Sequence, residues 1–148
     1  MRKKKIYLDN CCLNRPYDDQ IQPKVVLETL AKLYIQELVL NKKIDLVWSY
    51  ILKYENSYNI VEAKRTAIAQ WERLCVEFVG RSEPLVLLAH EIEKKGIKAF
   101  DALHIACAIT AQCDYFVTVD RQIEKYQDNR ITICNPIDFI KREAENDK

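Results

Sequence analysis

The chain has 148 residues, 49% hydrophobic and 30% charged, as expected of one globular domain with a core; its net charge of +1 gives no global field for nucleic acid or membrane. Two glycines cannot build a phosphate-cradling loop or a dinucleotide fingerprint, and two histidines exclude a histidine-rich zinc site. Six cysteines without a C-x-x-C pair exclude a zinc ribbon or a thioredoxin motif, and point to free thiols in a reducing cytoplasm.

Lys5-Ile6-Tyr7-Leu8 is apolar and β-prone and predicts a buried strand ending at Asp9. A polar loop is expected over 10–19. Pro23 suits a first helical turn, and Val26, Leu27, Leu30, Leu33, Tyr34 and Leu38 recur at three and four, one stripe of an amphipathic helix. A second strand is expected over 44–49, then helical stretches over 50–58 and 60–79, the latter closed by Gly80. Ser82 and Pro84 open another helix, which Lys94, Lys95 and Gly96 close. An almost wholly apolar helix is expected over 99–111, a strand over 115–119 ending at Asp120, a short strand over 131–134, and a terminal helix from Pro136. Neither a leader peptide nor a membrane span is expected.

Strands separated by helices imply a parallel sheet covered on both faces, and in such sheets chemistry gathers beyond the carboxyl ends of the strands. Asp9 and Asp120 stand at two such ends. Asp101 lies in the first turn of the 99–111 helix, where the helix dipole favours an acid. That helix is expected to be buried, so its acid needs a partner. Glu55 follows the second strand, with Glu62 as a rival. His104, one turn after Asp101 on roughly the same face, could sense the site, but the favoured reading is a packed histidine bonded to backbone. Arg2, Lys3, Lys4, Lys5 and Arg15 form a basic arm close in sequence to Asp9 and are candidates to meet a phosphate backbone.

These residues carry a resemblance. Residues 6–19, Ile6-Tyr7-Leu8-Asp9-Asn10-Cys11-Cys12-Leu13-Asn14-Arg15-Pro16-Tyr17-Asp18-Asp19, resemble the opening of a PIN domain, and more narrowly a subgroup with an LD-x-CCLNRP-x-DD start. Lys98-Ala99-Phe100-Asp101-Ala102-Leu103-His104-Ile105-Ala106 resembles the family's K-x-x-DALH-x-A helix, and Asp114-Tyr115-Phe116-Val117-Thr118-Val119-Asp120 its AD-x-F-[LV]-T-x-D strand. The resemblance implies a single three-layer α/β/α domain over 1–148, with a central parallel sheet of about five strands and helices on both faces. It also implies a divalent-metal-dependent endoribonuclease acting on RNA. In many small bacterial and archaeal members this is the VapC-like toxin of a toxin–antitoxin pair, held by an antitoxin protein and commonly a homodimer.

The family's acidic set maps onto Asp9, Glu55, Asp101 and Asp120, as catalytic groups and metal ligands. Four converging carboxylates cannot all stay ionised without a cation, and all-oxygen ligation suits Mg2+ or Mn2+ rather than zinc. Asn10, Asn14 and Arg15 flank the strand end as candidate phosphate contacts; Thr118 joins them and could also hydrogen-bond a site carboxylate. The stripe Val26, Leu30, Leu33 and Tyr34, with Tyr50, Tyr54 and Tyr58, offers surface for a homodimer. Two positions depart from the family pattern. Cys11 stands where many members carry Ser or Thr, and the first acid after Asp120 is only Glu124; both put a second metal in doubt. They leave room for a second reading, a catalytically weak or inactive PIN-fold module that binds RNA or protein. A phosphotransfer domain built on a strand-end Asp is disfavoured, because the last strand ends Thr132-Ile133-Cys134-Asn135 without the lysine such domains use.

Overall fold

The computed structural model describes residues 3–146. Among these, five strands pair in one all-parallel sheet: β1 (Lys5–Leu8), β2 (Asp45–Ser49), β3 (Glu77–Val79), β4 (Tyr115–Val117) and β5 (Thr132–Cys134), in the order β3-β2-β1-β4-β5. The helices are α1 (Asn10–Asn14), α2 (Pro23–Leu40), α3 (Tyr50–Ser57), α4 (Glu62–Ala69), α5 (Glu83–Glu93), α6 (Ala99–Thr110), α7 (Arg121–Glu124) and α8 (Pro136–Asn146). Crossovers run from β1 in both directions along the sheet, so helices cover both faces in a three-layer α/β/α arrangement. β1 and β4 are neighbours whose onward connections diverge, which opens a crevice beyond their carboxyl ends.

The central strands are apolar on both faces, as a parallel sheet requires. Ile6, Tyr7, Leu46, Val47, Trp48, Phe116 and Val117 are all buried. Tyr7 stacks on Phe116 with ring centres 5.4 Å apart, and Phe139 of α8 packs edge-on against Tyr115. Cys12, Cys107, Cys113 and Cys134 fill core positions as free thiols, each pushed up to about 12 by burial.

Three expectations are corrected. The helix expected over 60–79 stops at Ala69; a 3-10 turn over Gln70–Leu74 and then β3 follow. Val76 and Phe78 alternate on the exposed side of an edge strand, and the short run reads equally well at either period. Gly80 therefore follows a strand and has no left-handed φ, whereas Gly96, with φ +99°, closes α5 as expected. The polar loop at 10–19 instead begins with α1, whose start is capped by the Asp9 carboxylate, and continues as a 3-10 turn through Pro16.

On α2 the stripe faces outward. Leu27, Leu30, Leu33 and Tyr34 are exposed, while Ala31, Ile35 and Val39 pack inward together with Glu28 and Lys32. Burial lowers the Lys32 ammonium to about 8, and its charge lies over the Trp71 ring. No helix among the described residues is long and apolar enough to cross a membrane.

Candidate active site

The crevice at the carboxyl ends of β1 and β4 is a cleft of about 340 Å³. Asp9, Glu55, Asp101 and Asp120 all line it, with Asn10, Cys11, Asn14, Arg15, Asp18 and Val119. Each carboxylate arrives from a different element: Asp9 from the end of β1, Glu55 from α3, Asp101 from the first turn of α6, Asp120 from the segment after β4. Glu62 does not line the cleft; it is exposed at the start of α4. Glu124 also lies elsewhere, accepting a hydrogen bond from Asn135 Nδ2 at 2.9 Å.

Asp9 is only 3% exposed, and its negative charge is stabilised by donors. Its Oδ1 accepts from the Asn10 amide at 2.8 Å; its Oδ2 accepts from Thr118 Oγ1 at 2.9 Å and from the Cys11 thiol at 3.2 Å. Burial and the neighbouring Asp9 push the Cys11 thiol well above its ordinary range, so it stays protonated and donates. The thiol thus takes over the hydrogen bond to the first Asp that a hydroxyl could make. Thr118 is fully buried and also accepts from the Asp120 amide at 3.1 Å. It ties Asp9 to Asp120 rather than facing a substrate. Asp120 in turn caps α7, accepting from the Gln122 amide at 2.8 Å and the Ile123 amide at 3.4 Å.

Asp101 differs from the other three. Among the described residues its carboxylate accepts no hydrogen bond. Burial raises it from 3.8 to about 6, followed by the charges of Asp9 and Asp120; His104 pulls it down and Glu55 adds to the rise. Carboxylate crowding of this kind is an electrostatic demand for a cation.

The remaining expected contacts mostly turn inward. Asn10 Nδ2 donates to Glu55 Oε2 at 3.2 Å, and Asn14 Nδ2 donates to the Asn10 carbonyl at 2.8 Å. Arg15 Nη1 donates to Asp18 at 2.9 Å; its Nε stands 3.2 Å from the buried Glu28, close enough for an ion pair but not aligned as a hydrogen bond. Lys3 and Lys5 of the basic arm lie at the opposite end of the sheet from the cleft, which Arg15 lines. Lys5 begins β1, four residues before Asp9, and its ammonium donates to the Ala111 carbonyl at 3.0 Å; Lys3 approaches Asp45, at the start of β2. At about 3.3 Å per residue, this separates these lysines from the cleft by the length of the strand. Arg2 lies outside the described residues.

Behind the site lies a set of partners that the sequence does not mark. His104 is bonded to side chains, not to backbone: Nε2 pairs with Glu55 Oε1 and Nδ1 with the Tyr7 hydroxyl at 2.6 Å. The sequence signal was a lone histidine in an apolar helix one turn from Asp101. Nothing in the strand pattern marks Tyr7 as its partner.

The donor set suits a hard divalent cation: the cleft offers carboxylate and amide oxygens, its thiol is protonated, and His104 faces Glu55. Among the described residues, no three His, Cys, Asp or Glu side chains are already converged enough to hold a common metal ion. Asp9, Glu55 and Asp120 are each hydrogen-bonded to protein donors.

The PIN domain family model matches residues 6–129, a span that contains all four carboxylates. The chain belongs to the PIN domain family. The fold of this PIN domain is similar to a chain in the crystal structure of VapBC2 from Rickettsia felis bound to a DNA fragment from their promoter: TM-score 0.55, 15% identity, covering 88% of this chain and 98% of that one. No curated protein matches it in sequence.

Proposed function

We propose that this PIN domain is an endoribonuclease that hydrolyses RNA phosphodiesters with Mg2+ or Mn2+, and that it acts in the cytoplasm as the toxin of a toxin–antitoxin pair. The family's members are typically nucleases that use divalent metal ions. The observation that carries the reading is the delivery of four carboxylates by four separate elements to one cleft, where the least bonded, Asp101, is raised to about 6 by burial and by the others.

Asp9, Asp101 and Asp120 would hold the cation, with Glu55 ligating it or holding its water. Held there, the cation would supply Lewis-acid polarisation of a phosphoryl oxygen and a more acidic water. The chain's own contribution is positional. Thr118 and Cys11 fix Asp9, α7 fixes Asp120, and Asn10 restrains Glu55, so each carboxylate is held at the cleft before substrate arrives. We assign phosphate contact to Arg15, a cleft residue whose guanidinium Asp18 and Glu28 hold in place, and to the exposed Arg121 next to Asp120. The outward leucine row of α2 supports a homodimer, and the likeness to VapBC2 supports an antitoxin as the second partner.

Chelation tests the reading. RNA cleavage by the purified chain should stop with excess EDTA and return when Mn2+ or Mg2+ is restored in excess. Cleavage that persists in EDTA would refute it.

A further inference from the structure

Glu55 sits at the end of a buried chain of side-chain hydrogen bonds. Its Oε1 faces His104 Nε2; His104 Nδ1 faces the Tyr7 hydroxyl at 2.6 Å; that hydroxyl faces Ser49 Oγ at 2.6 Å; and Ser49 Oγ accepts from the Leu52 amide at 3.1 Å. Tyr7 and Ser49 are fully buried and His104 is 1% exposed, so no water competes for these groups.

Donor chemistry fixes the direction at the Glu55 end. A carboxylate can only accept, so His104 Nε2 carries a hydrogen and donates to Glu55. Nδ1 and the Tyr7 and Ser49 hydroxyls share the remaining hydrogens along the chain, each hydroxyl able to donate or accept. Ser49 also caps α3, the helix that carries Glu55. The relay therefore runs from the start of α3, through β1 and α6, and back to the glutamate of α3. It locks together three of the elements that deliver site carboxylates.

We propose that His104 is a positioning residue of the cation site, with Tyr7 and Ser49 fixing its ring. It holds one oxygen of Glu55 while Asn10 Nδ2 donates to the other at 3.2 Å, and between them they fix the carboxylate at the cleft. This rests on reading the cleft as the site of a divalent cation. Partners behind a metal-binding group typically change affinity 10–100-fold when removed.

Mn2+ binding to the full chain, followed by calorimetry, tests the proposal without reference to cleavage. Binding should weaken about tenfold or more in His104→Leu. It should weaken less in Tyr7→Phe, which keeps the ring stacked on Phe116, and recover in His104→Gln, which restores an N–H donor. A double-mutant cycle separates positioning from packing: in a Glu55→Gln background, His104→Leu should cost no further affinity. Undiminished Mn2+ affinity in His104→Leu overturns the proposal, as does an equal loss with and without Glu55. Should His104→Leu fail to fold, Tyr7→Phe decides alone, and wild-type affinity there overturns the relay. Asp9→Asn distinguishes the two levels: if it too leaves Mn2+ binding intact, the cation site itself is wrong, not merely the role of His104.

Discussion

Asp101 gives the sharpest stability prediction. Its carboxyl is raised from 3.8 to about 6, first by burial and then by Asp9 and Asp120. Roughly two pKa units correspond to about 3 kcal/mol, and half exposure screens this to about 1.5 kcal/mol. An acid raised in the folded state holds its proton more tightly there than in the unfolded chain. The cost to folding is therefore absent below pH 3.8, grows as the pH climbs to about 6, and is fully present above it. Asp101→Asn keeps the shape and removes the charge. Without divalent metal at pH 7.5, it should stabilise the protein by about 1.5 kcal/mol, a rise of about 3–6 °C in Tm. At pH 3.5 the two proteins should melt together. Mn2+ at a hundred times its Kd should add about 2.7 kcal/mol to the wild type and less to the variant, narrowing or reversing the order. Melting curves at both pH values, with EDTA or Mn2+, make the comparison. A variant no more stable than wild type at pH 7.5 in EDTA, or one whose gain persists at pH 3.5, would refute the electrostatic account.

Further outcomes follow from the same geometry. Thr118→Val strands the Asp120 amide and leaves Asp9 Oδ2 with the Cys11 thiol alone, and should cost about 1–3 kcal/mol in urea unfolding, with Thr118→Ser recovering most of it; a loss below about 0.5 kcal/mol would show that the tie is idle. Cys11, protonated and hydrogen-bonded, should resist iodoacetamide at pH 8 until the chain is unfolded, and rapid labelling at that site by peptide mass mapping would contradict its role as a donor. Replacing Lys3, Lys4 and Lys5 by Ala should leave the salt dependence of RNA binding unchanged, while Arg121→Ala should flatten the slope by about 0.7; a flattened slope in the triple variant would return the RNA path to the arm.

The carboxylates were legible because they sit where period and topology coincide: an apolar run ends at Asp9, another run ends within three residues of Asp120, and parallel strands bring such ends together. β3 was hidden because an edge strand of three residues, two of them exposed, carries too short an alternation to outweigh the helical pattern before it. The face of α2 was ambiguous because burial of Glu28 and Lys32 depends on Arg15 and Trp71, partners remote in sequence. The position of Lys3 and Lys5 was hidden for a similar reason. Proximity to Asp9 along the chain becomes distance in space once those residues are extended as a strand. The Tyr7–His104–Glu55 relay joins residues 97 and 49 positions apart, which no local pattern encodes.

The central claim is that the four-carboxylate cleft cuts RNA with a divalent cation. The most direct test incubates a single-stranded RNA with wild type and Asp9→Asn, prepared identically, in Mn2+. Asn keeps an oxygen for the Asn10 amide, so the variant should remain folded. The account predicts Mn2+-dependent cleavage by the wild type and at least a hundredfold slower cleavage by Asp9→Asn, a loss of about 3 kcal/mol in the barrier. Equal cleavage by the two proteins would contradict it.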